Sequence, residues 1–298
     1  MKPGIYLVHK PEGPTSFSIV QQFMKSARLP DGRRGPRLCH GGTLDPFASG
    51  LLLILVEPAT KLFDYLHAVP KTYDATVRWG IETDNGDPGG HVVEARNSSA
   101  LQTEQLERDL AGFVGWREQV PHATSAKRIG GERAYLKAHR GEAVEMPASK
   151  VYLHSARWIS HELPNWSRLE ITARGGYYVR ALVRDLGRLA GCGAHLAKLH
   201  RSAIGPWTDP GEGNVIPLHG RDLLPWLESR ELSDQELAAL AEKTAIPAGA
   251  ISPPTWPLPP EFPQEHRLVR GFHQDKFSYL LKLEGEMLSA LHMLRGGV

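Results

Sequence analysis

The sequence predicts an α+β fold in two parts, a large domain followed by a smaller β-rich one. Three observations lead there. Stretches with the two-residue rhythm of strands and stretches with the 3.6-residue rhythm of helices follow one another without the regular alternation that marks a parallel βαβ sheet. The chain, at 298 residues, is too long for one small domain and short for three. Past Trp207 the character changes, and Pro253, Pro254, Pro257, Pro259, Pro260 and Pro263 make residues 251–263 read as a stiff linker.

Residues 5–9 form a short buried strand, and Gly13-Pro14-Thr15-Ser16 is a turn that caps a helix carrying Ile19, Val20, Phe23, Met24 and Ala27 at helical spacing. After a basic, Gly-containing loop, residues 51–56 are apolar throughout, which predicts a strand covered on both faces. Pro58 and Thr60 open a helix with Leu62, Phe63 and Leu66. In residues 72–79, Tyr73, Ala75, Val77 and Trp79 alternate with polar neighbours, as in a half-buried strand. Residues 83–90 are a turn cluster before a helix whose one face is Leu106, Leu110 and Phe113. Residues 119–149 are polar, basic and rich in glycine and proline, too long for a plain connector, with a short helical patch at 133–138. Strands follow at 151–159 and 167–173. They precede a helix whose apolar face is Val179, Leu182, Val183, Leu186 and Leu189 and whose Arg180, Arg184 and Arg188 form a basic stripe. Ser233 and Glu236 make a capping box, and strands are expected at 266–272 and on both sides of Glu284-Gly285-Glu286.

Composition narrows the class of function. Hydrophobic residues are 41% and charged residues 23% of the chain, as in a globular protein. The longest apolar run, Leu51 to Val56, is far below a bilayer span, so no membrane partner is expected. The N-terminus has no extended apolar region, which points to the cytoplasm. Cys39 and Cys192 have neither metal-ligand spacing nor a disulfide framework, so no metal is expected. The net charge is only +2, yet basic residues cluster at 25–37, at 127–140 and in Arg174, Arg180, Arg184, Arg188, Lys198 and Arg201. Three such runs favour a polyanionic partner.

The chemistry concentrates in His40-Gly-Gly-Thr-Leu-Asp45-Pro46. This segment resembles the active-site signature of the bacterial tRNA pseudouridine synthase B (TruB) family. Gly4-Ile-Tyr-Leu-Val-His-Lys-Pro11 with Gly13-Pro-Thr-Ser16 resembles that family's opening motif, Lys71-Thr-Tyr73 its second and Gly176-Tyr-Tyr-Val-Arg180 its third. Gly193-Ala-His-Leu-Ala-Lys-Leu199 and Arg201 are similar to the segment that closes its pocket. The resemblance runs from residue 4 to about 206, in order.

The resemblance implies a catalytic domain over residues 1–215, with a central mixed or antiparallel sheet flanked by helices and an RNA-binding insertion at about 119–149. It also implies a small PUA-like RNA-binding module over 216–298 and a monomer acting on the T arm and T loop of transfer RNA, at position 55. Isomerising uridine breaks an N-glycosidic bond and rejoins the uracil through carbon with no net change of atoms or redox state, so it demands no cofactor. It needs an ionised carboxylate, a cation to keep it ionised, a surface to hold the loose base and a weak base. The resemblance assigns these to Asp45 as nucleophile, Arg180 as its cation, and Tyr73 as the ring against the uracil. Leu199 and Tyr178 would line the pocket. His40 would pack against displaced nucleotides, and Lys127 and Arg201 would hold substrate. Taken singly, Tyr73 and Leu199 would pass for core residues and Asp45 for a turn residue before proline; their joint spacing changes that. His122, Thr124, His139 and His200 depart from the family pattern, where a proline, an aromatic residue and two arginines are usual. A non-catalytic tRNA-binding or tRNA-folding protein on the same scaffold, and a guide-RNA-dependent synthase, are the competing readings. Intact Asp45, Tyr73 and Arg180 argue against the first, and the insertion with a short, divergent tail argues against the second.

Overall fold

The computed structural model describes residues 1–27, 35–67, 69–125, 128–129, 132–133, 140, 142, 145–259 and 267–298. Among these, a ten-stranded sheet dominates. Its main path runs Val215–Leu218, Gly4–Lys10, Ser49–Val56, Ala194–Ile204, Lys71–Trp79, Trp166–Ala173, Ser149–Glu162 and Gly115–Gln119. Neighbours are antiparallel except for one short parallel joint, His200 with Ser49 and Arg201 with Gly50. The sheet is therefore mixed, as expected.

The apolar Ser49–Val56 strand is buried along Leu51 to Val56, and its two faces serve two cores. Leu51, Leu53 and Leu55 pack with Leu62, Leu66 and residues of the C-terminal module, while Leu52, Ile54 and Val56 pack beneath Ile19 and Val20 of helix Ser16–Ser26. Each such leucine contributes roughly 1.5–3 kcal/mol of burial. Thr15 caps that helix, its side chain accepting from Ser18 N at 3.0 Å. A third core joins Ala75, Val77, Trp79, Leu169 and Ile171 to Leu106, Leu110, Leu182, Val183 and Leu186. At the parallel joint Gly50 has φ +107°, and a Cβ there would stand 2.4 Å from the Arg201 carbonyl oxygen, so only glycine lets these strands meet.

Four sequence expectations need correction. Residues Ala59–Leu66 form a 3-10 helix, burying Leu62 and Leu66 but leaving Phe63 outside. Leu189, the last residue of helix Val179–Leu189, is exposed, while Val179, Leu182, Val183 and Leu186 are buried. Arg133 stands in a two-residue strand, Glu132–Arg133, paired with Arg128–Ile129; the rest of the expected helical patch lies outside the described residues. The described part of the proline-rich segment is no free linker. Ser229 and Ser252 exchange backbone hydrogen bonds at 3.0 and 2.7 Å, Trp256 N donates to Pro225 O at 3.1 Å, and Trp256 and Leu258 pack on the core. Pro260 and Pro263 lie outside the described residues.

A second, five-stranded sheet runs Glu228–Glu231, Leu268–His273, Lys276–Glu284, Met287–Met293 and Ile246–Pro247. The Ser233–Glu236 capping box starts its helix Asp234–Ala241. Phe272, Phe277, Leu280, Leu294 and Val298 of this part share one core with Ile5, Leu7, Leu53 and Leu55 of the large sheet. No helix among the described residues is long and apolar enough to cross a membrane.

Candidate active site

Asp45 sits in the loop between strands Leu38–His40 and Ser49–Val56. Side chains from three other segments hold that loop. Ser16 Oγ donates to Leu44 O at 2.9 Å and accepts from Leu44 N at 2.8 Å. Gly13 N donates to Pro46 O at 2.8 Å, and Lys10 Nζ reaches the same oxygen at 3.2 Å. Arg201 donates from Nη2 to Gly42 O at 3.1 Å, from Nη1 to Thr43 O at 3.4 Å and from Nε to Leu51 O at 2.7 Å. The backbone on both sides of Asp45 is thus pinned, and its carboxylate remains partly exposed.

Arg180 meets that carboxylate from the first turn of helix Val179–Leu189. Its Nε lies 2.9 Å from Asp45 Oδ2 and its Nη2 donates to Oδ1 at 3.4 Å. The remaining nitrogen, Nη1, donates to Asn85 O at 2.7 Å and Thr124 Oγ1 at 2.9 Å, and stands 3.7 Å from Asp87 Oδ2. The guanidinium is almost fully buried and every nitrogen has a partner. A planar cation held this way orients the Asp45 carboxylate through two charge-assisted contacts.

The two residues border a cavity of about 220 Å³, also lined by Tyr73, Leu199, Tyr178, Lys71, Arg201 and the Gly41–Leu44 and Gly175–Tyr177 segments. That is below the roughly 300–1,000 Å³ of pockets for larger ligands and suits a single base. Tyr73 comes from strand Lys71–Trp79, opposite Arg201 in register, and both line the cavity. Burial pushes the Tyr178 hydroxyl up, so it stays protonated as a donor. Burial also pulls Lys10 down to about 8, against the attraction of Asp45, and Lys71 down to about 7, with Arg201 and Arg174 adding to the effect. Lys71 donates to Leu66 O, His67 O and Val69 O, closing the end of the 3-10 helix.

Of the residues singled out from the sequence, Asp45, Tyr73, Tyr178, Arg180, Leu199 and Arg201 share this cavity. His40 does not line it; it ends the strand just before Gly41. Lys127 lies outside the described residues. Arg201 is only 1% exposed, and its guanidinium is engaged by loop carbonyls rather than open to a phosphate. The expected basic stripe is likewise turned to internal partners: Arg180 faces Asp45, Arg184 donates to Val120 O at 3.0 Å, and Arg188 pairs with Glu82 at 2.6 Å.

Sequence reasoning missed Asn85 and Asp87, and noted Thr124 only as a departure from the family pattern; these three complete the shell of Arg180. It also missed Gln119, whose side-chain amide pairs with both backbone groups of Tyr178. The turn signal at residues 83–90 was visible, but nothing in it said that the turn faces a helix nearly a hundred residues later. Among the described residues no group of three acidic, histidine or cysteine side chains is placed to hold a metal ion.

Residues 33–179 match the TruB family pseudouridylate synthase (N terminal domain). A protein of Paenarthrobacter aurescens named tRNA pseudouridine synthase B is 33% identical over 267 residues, covering 84% of this chain and 82% of the relative. One of Thermotoga maritima with the same name is 36% identical over 217 residues, covering 72% and 67%. In overall fold the chain is similar to one in the crystal structure of a Cbf5-Nop10-Gar1 complex, with a TM-score of 0.67 at 19% identity over 98% of this chain and 84% of that one. The chain belongs to the TruB family of pseudouridylate synthases.

Proposed function

We propose that this protein isomerises a uridine in the T loop of transfer RNA, at position 55, to pseudouridine, with Asp45 as nucleophile. The observation that carries the reading is the two-point contact between the buried Arg180 and the partly exposed Asp45 at the wall of a base-sized cavity. Relatives named tRNA pseudouridine synthase B support the choice of transfer RNA.

A uridine inside a folded loop must first be flipped out to reach Asp45. The carboxylate, oriented by Arg180, then bonds to the nucleoside while the N-glycosidic bond breaks. The freed uracil turns between Tyr73 and Leu199, its C5 bonds to the ribose C1′, the carboxylate leaves, the C5 proton departs with the Tyr73 hydroxyl as candidate carrier, and N1, freed from the ribose, takes up a proton in its place. Atoms and electrons balance within the substrate. Lys10, Ser16 and Arg201 position the loop rather than touch the base. Residues 1–215 would supply this chemistry and residues 216–298 would add RNA grip as a docked, PUA-like module. Incubation with an unmodified tRNA transcript, followed by chemical labelling of pseudouridine and primer extension, tests the reading: one stop at the T-loop uridine is expected, and no stop in tRNA overturns it.

A further inference from the structure

We infer that Trp116, Lys150 and Arg174 form a landing site, beside the active-site cavity, for a nucleotide that flanks the flipped uridine; this rests on the RNA-modifying role proposed above. Trp116 lies on Gly115–Gln119, the terminal strand of the large sheet, and is 48% exposed, unusual for so large an apolar ring. Tyr152, its partner in register, braces it with ring centroids 5.0 Å apart. Lys150 Nζ stands 4.9 Å and Arg174 Cζ 5.8 Å from the centre of the indole.

The charges around this ring differ from those of the catalytic wall. Arg180, Arg184, Arg188 and Arg201 all have carboxylate or carbonyl partners. Among the described residues neither Arg174 nor Lys150 makes an ion pair, although Glu118 is paired in register with Lys150. Two cations against an exposed indole, with no ion pair among the described residues, match a nucleotide, with its phosphate between the cations and its base or sugar against the ring.

The patch is also continuous with the cavity. Arg174 directly precedes the lining residues Gly175 and Gly176, its backbone N donates to Tyr152 O at 3.0 Å, and its charge bears on His67 and Lys71 in the cavity wall. A strand leaving the cavity past Gly176 therefore meets Arg174 first and Trp116 next.

The test uses the full chain and an unmodified tRNA transcript. Trp116→Ala and Arg174→Gln should each weaken tRNA binding and raise the half-saturating tRNA concentration by roughly tenfold, with the saturated single-turnover rate unchanged. Trp116→Phe should restore most of the loss. Abasic substitutions walked through the nucleotides beside the target should find one position where the missing base weakens wild type but not Trp116→Ala. Wild-type conversion of tRNA combined with binding by Trp116→Ala within twofold of wild type would overturn the inference alone. A wild-type protein that converts no tRNA would overturn the functional reading as well. A drop in the saturated rate of Trp116→Ala with unchanged binding would also overturn the inference, since it would make the ring a brace of the site.

Discussion

Gln119 and Tyr178 exchange two hydrogen bonds, Gln119 Nε2 to Tyr178 O at 3.0 Å and Tyr178 N to Gln119 Oε1 at 2.8 Å. Tyr178 is the residue on which helix Val179–Leu189 begins, and its own side chain makes no cap. The amide therefore ties the end of strand Gly115–Gln119 to the turn that aims Arg180. Gln119→Leu should destabilise the fold by about 1–3 kcal/mol, the cost of leaving the Tyr178 N–H without Gln119 Oε1 while the Tyr178 carbonyl keeps its bond from Leu182 N, and should also lower the single-turnover rate. Urea unfolding alongside rapid-quench kinetics would show both; a loss of stability without any loss of rate would detach this contact from the site.

Arg180→Lys is expected to lose at least about a hundredfold in rate although the charge is kept. The guanidinium serves Asp45, Asn85 and Thr124 with three different nitrogens, a geometry that one ammonium on a flexible stem does not reproduce. Near-wild-type single-turnover rates in this variant would show that the planar fork is not required.

His122 gives the pH dependence a definite sign. Burial, reinforced by Arg180, Arg184 and Arg188, holds the imidazole down to about 3, against an ordinary value of 6.5. Between those values the unfolded chain binds a proton that the folded chain does not, so stability falls as pH drops from about 6.5 toward 3. His122→Gln should flatten that part of the stability curve, measured by denaturant unfolding at successive pH values. An unchanged slope would mean that other groups carry the acid sensitivity.

Much of the fold was legible where local pattern and burial agree. The all-apolar run Leu51 to Val56, the alternation from Tyr73 to Trp79 and the Ser233–Glu236 capping box each name their element, because the periodicity that a strand or helix imposes is local. Asp45, Tyr73, Arg180 and Leu199 were legible through motif spacing, and the structure brings them to one cavity. What was not legible depends on distant partners. Arg184 and Arg188 read as a basic stripe, and Arg201 as a residue that holds substrate, until Val120, Glu82 and the Gly42–Thr43 carbonyls appear beside them. Six prolines suggested a stiff linker, but proline also favours an extended strap, and Trp256 and Leu258 give that strap a core to pack on.

The shared core changes what truncation should do. A chain ending near Ala250 lacks Phe272, Phe277, Leu280, Leu294 and Val298, leaving Leu53, Leu55, Leu223 and Trp226 partly uncovered. Loss of several buried side chains at about 2–5 kcal/mol each exceeds the stability of most domains. The truncated protein should therefore show weak near-ultraviolet circular dichroism and bind hydrophobic dyes. A cooperative melt close to that of the full chain would instead establish two independent domains.

The central claim is that Asp45 performs the chemistry while the rest of the site presents the base to it. Asp45→Asn keeps the size of the side chain but removes the charge that Arg180 holds and, with it, the proposed nucleophile. The most direct measurement is a single-turnover assay of this variant on unmodified tRNA, with pseudouridine mapped by chemical labelling and binding measured on the same preparation. The account predicts retained tRNA binding and no T-loop pseudouridine, where wild type converts its bound substrate fully. Product above trace level from purified Asp45→Asn would contradict it.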